Sequence, residues 1–236
     1  MSPVTQPEHG TLAGIVIANP SAAAVFERRG LDYCCQGRRS LAEACADAGI
    51  DAADVAAELA SMGQAAVAVA LPADVPGLIE HIVDTHHVYL REHLPRLRDL
   101  MDKVIAAHAA VHPEVRPVSA LLAEITDDLM PHLLKEEQVL FPISLELARA
   151  TGPTAFHCGS VRNPISVMLM EHDRVGELLA TLRQATDGYT PPPDACPTWH
   201  ALYAGLADLE ADTHQHVHAE NNVLFPKVAA LESALG

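Results

Sequence analysis

Aromatic residues are scarce in this chain, 4% of its 236 positions, and β-branched residues rarely run together. Both deficits disfavour sheet and favour helix. Basic residues are few as well: 15 Lys and Arg stand against 31 Asp and Glu, a formal charge of −16. So acidic a chain is a poor partner for nucleic acid or for an anionic membrane face. It has no uninterrupted apolar run of 18 residues, so no membrane-spanning helix is expected. The start, "MSPVTQPEHG", has neither the basic residues nor the apolar stretch of a secretory signal, and none is expected. No Gly-x-Gly-x-x-Gly follows a strand-like segment, so any redox turnover needs borrowed electrons. Five cysteines, an odd number, do not make a disulfide framework; the expected location is a reducing cytoplasm.

What the chain does have is apolar content, 49% of its residues, and 14 histidines. Short helix-favouring pieces fill residues 11–61, opened by Thr, Ser or Asp and several of them closed by Gly, the cap chemistry of short helices. Residues 62–74 read as a linker, with a boundary near 70, so 1–70 form a small helical domain and 71–236 a larger one. From 75 onward the periods lengthen. His87, Leu94, Met101 and His108 fall seven apart with Leu90, Leu97 and Val104 between them, the apolar stripe of one long helix. "HPEVRP" (112–117) breaks it; further helices are expected over about 118–148, 165–185 and 198–232. The fold class is therefore all-α, a four-helix bundle preceded by a small helical domain.

One phrase is written twice. "HLLKEEQVLFP" (132–142) recurs as "HVHAENNVLFP" (216–226), 84 residues on. An upstream His precedes each copy, His87 by 45 residues and His172 by 44. A single His-x-x-x-Glu is more often a surface pair at a helix end. Two copies in register, each with its own upstream His, point to metal. Residues four apart share a helix face, so His132 with Glu136, and His216 with Glu220, can both point inward. Four imidazoles and two carboxylates without thiolate suit iron or manganese, and two metals bridged by the carboxylates use every ligand. A single zinc leaves two groups unemployed. The predicted reading is that each hairpin supplies one half of the site.

Of the competing histidines on the first long helix, His87 shares the core stripe, whereas His86, about 100° away, should face a flank or solvent. His108 lies 21 residues on, about 31 Å along a straight helix, too far for the same site. His214 and His218 should be solvent-side or behind the ligands; Glu171 and Glu177 could tune the site, but are expected to be solvated charges. The turn "GLDYCCQGRRSL" (30–41) holds Cys34 and Cys35. Adjacent cysteines ligate less comfortably than Cys-x-x-Cys, and their disulfide is strained. Free buried thiols are one reading of the pair; against it, Arg38 and Arg39 would lower a nearby thiol pKa, making an exposed turn able to take up metal or exchange disulfides. Cys45, Cys158 and Cys196 show no partner pattern.

"LDYCCQG" followed by "HLLKEEQVLFP", "MEHDRVGELL" and "HAENNVLFP" resembles the Repair of Iron Centers family, di-iron proteins linked to nitric oxide and oxidative stress in bacteria. The resemblance runs from about 15 to 230; the loop at 150–164 matches nothing in it. It implies a hemerythrin-like bundle with two irons, held by His87, His132, Glu136, His172, His216 and Glu220. The two glutamates would bridge the irons beside an oxo group. It also implies a cytoplasmic role in restoring damaged iron–sulfur clusters, with iron–sulfur proteins as clients and Cys34 and Cys35 as a candidate thiol relay. Hemerythrin carries a further His one turn after the ligand on its third helix; here that position is Gly176, which leaves a place for water, oxygen or nitric oxide. Iron donation thus competes with nitric oxide binding, and turnover to nitrous oxide ranks third. A homodimer is left open.

Overall fold

The structure, a computed structural model, describes residues 10–61 and 71–236. The boundary expected near 70, and most of the expected linker, lie outside the described residues. Within them every regular element is a helix.

The first unit packs α1 (Leu12–Ala18), α2 (Ala22–Arg29), α3 (Leu41–Ala48) and α4 (Ala52–Ser61) around Leu12, Val25, Phe26, Tyr33, Leu41 and Val55. The cap chemistry is as the sequence suggests except at Ser21, whose side chain makes no capping bond to α2. Thr11 accepts from the Gly14 amide at 3.1 Å, Ser40 and Glu43 form a capping box, and Gly30 and Gly49 end α2 and α3 in the left-handed region.

Four long arms build the bundle. The first runs through α5 (Val75–Ile82) and α6 (Val88–His108), the second through α7 (Val115–Lys135) and α8 (Phe141–Arg149). The third is α9 (Arg162–Ala185), and the fourth joins α10 (Pro197–Ala219) to α11 (Phe225–Leu235). α7 and α9 begin three residues earlier than the pattern predicts.

Three arms are interrupted by a five-residue π turn, at Val83–His87, Glu136–Leu140 and Glu220–Leu224. Two of these have a clear cause. Pro142 and Pro226 offer no amide to the carbonyl four residues back, and their rings crowd it. The helix widens instead of stopping: the Phe141 amide reaches the Glu136 carbonyl and the Phe225 amide that of Glu220. The turn at Val83–His87 has no such proline.

Two apolar cores result, one around Leu90, Leu94, Leu122, Leu129, Leu179 and Leu206, the other around Leu78, Ile82, Leu140, Phe141, Met168 and Leu224. On every arm the His and Glu positions fall between them.

The first unit lies against the bundle through the Cys34–Cys35 turn. Asn222 Nδ2 donates to the Cys34 carbonyl at 2.9 Å, and the Tyr33 ring packs 5.5 Å from that of His218. Gly37 makes this approach possible, since a Cβ there would stand 2.4 Å from the Tyr33 carbonyl and 2.9 Å from Asn222 Oδ1. Gly37→Ala should therefore lower stability by about 1–3 kcal/mol, read as an earlier urea midpoint at unchanged slope. An unshifted midpoint would show that the turn has room to spare.

Candidate metal centre

Between the two apolar cores sits a layer that no apolar argument explains. His87, Glu136, His216 and Glu220 are 0% exposed, and His132 and His172 are 2%. All six residues expected from the sequence meet there. They form two groups whose ligand atoms lie within 4.8 Å of one another: His87 and His216 with both glutamates, and His132 and His172 with both glutamates.

The pairing differs from the expected one. His87 Nε2 is 3.2 Å from His216 Nε2, and His132 Nε2 is 3.0 Å from His172 Nε2. Each position takes one imidazole from each hairpin, because the first arm packs beside the fourth and the second beside the third. The carboxylates span both positions. Glu136 turns Oε2 to His87 at 3.4 Å and Oε1 to His132 at 3.3 Å. Glu220 turns Oε1 to His216 at 3.3 Å and Oε2 to His172 at 3.2 Å.

Neither oxygen of Glu136 or of Glu220 has a hydrogen-bond partner. Two bare carboxylates in a bundle core cost far too much to stand without positive charge beside them. The histidines feel that demand. Burial alone would lower the pKa of His132, but Glu136, Glu220 and Glu171 overcome it and push the value up to about 9. Burial would raise Glu220, yet His216 and His172 hold it well below the usual carboxylate range. Cations placed between the four Nε2 atoms and the four carboxylate oxygens meet the demand directly, so the residues fit a pair of N/O-ligated metal ions.

Behind this layer stands a second one. Nδ1 of His87 lies 2.7 Å from Glu137 Oε1, and that of His172 lies 2.7 Å from Asn221 Oδ1. Glu137 and Asn221 hold the same place in the repeat, directly after each inner glutamate, and the sequence reading passed over both. Donation from Nδ1 to an oxygen leaves the Nε2 lone pair facing inward. Nδ1 of His132 is 2.9 Å from Glu171 Oε2, so Glu171 is not the solvated charge expected.

The repeat would put His86 in the matching place for His216, and there the symmetry breaks. His86 stacks on His216 at 5.4 Å and turns its own Nδ1 to Asp212 Oδ1 at 2.9 Å. His216 Nδ1 is buried and unpartnered. His86 is thus 4% exposed rather than facing solvent. His218, also 4% exposed, lies under Tyr33, and His214 is half-buried 6.1 Å from the same ring. His108 is remote from the site as expected, packed 5.0 Å from Trp199.

The hemerythrin HHE cation-binding domain matches residues 78–228, and the ScdA_N domain of unknown function matches 8–62. The chain is 36% identical over 222 residues to the iron-sulfur cluster repair protein YtfE of Escherichia coli O17:K52:H18, covering 94% of this chain and 97% of that one. The YtfE of Escherichia fergusonii gives the same identity and coverage. The chain belongs to the Repair of Iron Centers family.

The double-cysteine turn of this family member lies directly over the metal layer. Cys35 Sγ is 3.7 Å from the His172 carbonyl and would stand 3.6 Å from a Cβ on Gly176. Of the two readings of the cysteine pair, Cys34 follows the buried one. Cys34 is 3% exposed; its hydrogen bond to Cys35 and its burial push the thiol pKa well up. Arg39 is turned away to Asp47 and the Glu43 carbonyl, and Arg38 is exposed.

The unequal outer layer has a measurable consequence. Loaded with ferrous iron and mixed with a chelator, the protein should lose metal in two phases, the faster from the position of His87 and unanchored His216. Glu171→Ala should speed the slower phase by about 10–100-fold and leave the faster one alone. Release in a single phase from the unaltered chain would contradict the asymmetry.

Proposed function

We propose that the chain holds two irons in this layer and supplies iron to damaged iron–sulfur clusters. His87 and His216 would hold one, His132 and His172 the other, with Glu136 and Glu220 bridging beside an oxo group. The observation that carries the reading is the pair of fully buried carboxylates, each turning one oxygen to each histidine pair. Its biological direction comes from the relatives named as iron-sulfur cluster repair proteins. When bound, the irons supply a redox-active centre and a store of ferrous iron.

The residues around them suit release as well as retention. Only two carboxylates and four neutral ligands hold the cargo, and protonation of imidazole competes with metal. The free thiols of Cys34 and Cys35 suit a reducing cytoplasm and stand where iron leaving past Gly176 would meet them. Iron–sulfur proteins are the clients on this reading.

A second reading, binding of nitric oxide or oxygen, draws on Gly176, which puts no side chain one turn after His172. No helix among the described residues is long and apolar enough to cross a membrane.

The test is reactivation of an iron–sulfur dehydratase inactivated by nitric oxide. The iron-loaded chain should restore activity faster than free ferrous iron at equal total iron; equal rates would end the donor reading and leave gas binding. Replacing both cysteines, Cys34→Ser with Cys35→Ser, should abolish the advantage while the visible spectrum of the centre persists. Undiminished repair would remove the thiols from the path.

A further inference from the structure

The turn that lies over the metal layer has ligand geometry of its own. Cys34 Sγ and Cys35 Sγ are 3.8 Å apart. A tetrahedral cation with metal–sulfur bonds of about 2.3 Å separates two thiolates by about 3.8 Å. Asp32 Oδ1 is 3.2 Å from Cys34 Sγ, and the three ligand atoms fall within 4.8 Å of one another. Adjacent cysteines, less comfortable ligands than Cys-x-x-Cys, are here brought to the spacing that a single ion needs.

The backbone holds that spacing. Asp32 Oδ1 accepts from the Cys34 amide at 3.1 Å and the Cys35 amide at 2.8 Å, while Asn222 fixes the Cys34 carbonyl from the bundle side. The three side chains border a cavity of about 490 Å³. Its wall also carries Glu27, Asp173, Glu177 and Glu210, with Arg183 the one Lys or Arg among them, and Arg183 is already paired with Glu210. Such a wall draws cations and repels anions.

We propose that Asp32, Cys34 and Cys35 form a separate docking site for one divalent, thiophilic cation, with a fourth position open to the cavity for water or an incoming thiolate. Its natural occupant is ferrous iron, an identity that rests on the donor reading above. Binding sets a proton from each thiol free to solvent, and no electron changes hands. Asn221 links the site to a histidine of the inner layer: it meets His172 Nδ1 with Oδ1 at 2.7 Å and the Cys34 carbonyl with Nδ2 at 3.5 Å.

Cobalt(II) is the probe, added to the iron-loaded full chain with its thiols reduced. One further equivalent per chain should bind with the near-ultraviolet thiolate-to-cobalt band and strong visible bands of tetrahedral coordination. Cys34→Ser and Cys35→Ser should each lose that band. Asp32→Asn keeps the oxygen that accepts from both amides but removes the charge, and should weaken cobalt binding by about tenfold or more. Iron content should stay unchanged in all three variants. Absence of the thiolate band at excess cobalt, or its survival in either serine variant, overturns the site. A chain that shows the band but gives no advantage in cluster reactivation keeps the site and loses the donor reading; one that repairs without the band does the reverse.

Discussion

Everything in the larger unit is arranged around two carboxylates that water cannot reach. Glu136 and Glu220 lie at 0% exposure with no hydrogen-bond donor on either oxygen. A bundle of this length could fill the same layer with leucine at no penalty. The chain instead interrupts a continuous apolar core with two acids and four imidazoles, and such an arrangement persists only when cations offset the charge. The helical interruptions belong to the same constraint. Both inner glutamates open π turns, and both turns arise because a proline two residues beyond the turn removes an amide.

The duplication is real in sequence but crossed in space. Each hairpin contributes two imidazoles and one carboxylate, yet the imidazoles divide between the two positions, and each carboxylate reaches both. Neither hairpin can therefore complete a position alone. That gives the layer a role in specifying the bundle as well as filling it, since any arrangement that separates the hairpins leaves a buried acid without its partners. Where the repeat is imperfect, with His86 opposite Glu171, the two positions become chemically unequal: one imidazole of the eightfold oxygen and nitrogen set lacks an outer anchor. On the donor reading proposed above, this inequality would let one ion leave before the other.

Much of this was legible in the residues. The seven-residue stripe from His87 to Met101 marks the first long helix, the echo of His-x-x-x-Glu-x-x-x-Leu-Phe-Pro marks four of the six inner residues, and the matching upstream spacing marks His87 and His172. The failures have physical causes. Counting 100° per residue turns His86 to a flank or to solvent, but it lies in a π turn, where the angular step is smaller and the strict α count no longer holds. His218 does point away from the metal layer; what faces it there is Tyr33 of the first unit, and no periodicity within α10 encodes a neighbour supplied 185 residues earlier in the chain. Arg38 and Arg39 are near the cysteines in sequence, but the turn sends Arg39 to Asp47. Glu137 and Asn221 could have been found: they occupy one register of a repeat already recognised, and were overlooked because Glu and Asn differ in charge while both offer an oxygen to Nδ1.

The central claim is that the carboxylates exist to bridge metal. Metal content and visible absorption of the purified full chain, beside a Glu136→Ala, Glu220→Ala variant, test it most directly. About two irons per chain, with oxo-to-iron absorption that disappears in the variant, is the expected result. Zinc in the site, or an iron content and spectrum indifferent to loss of both glutamates, would contradict it.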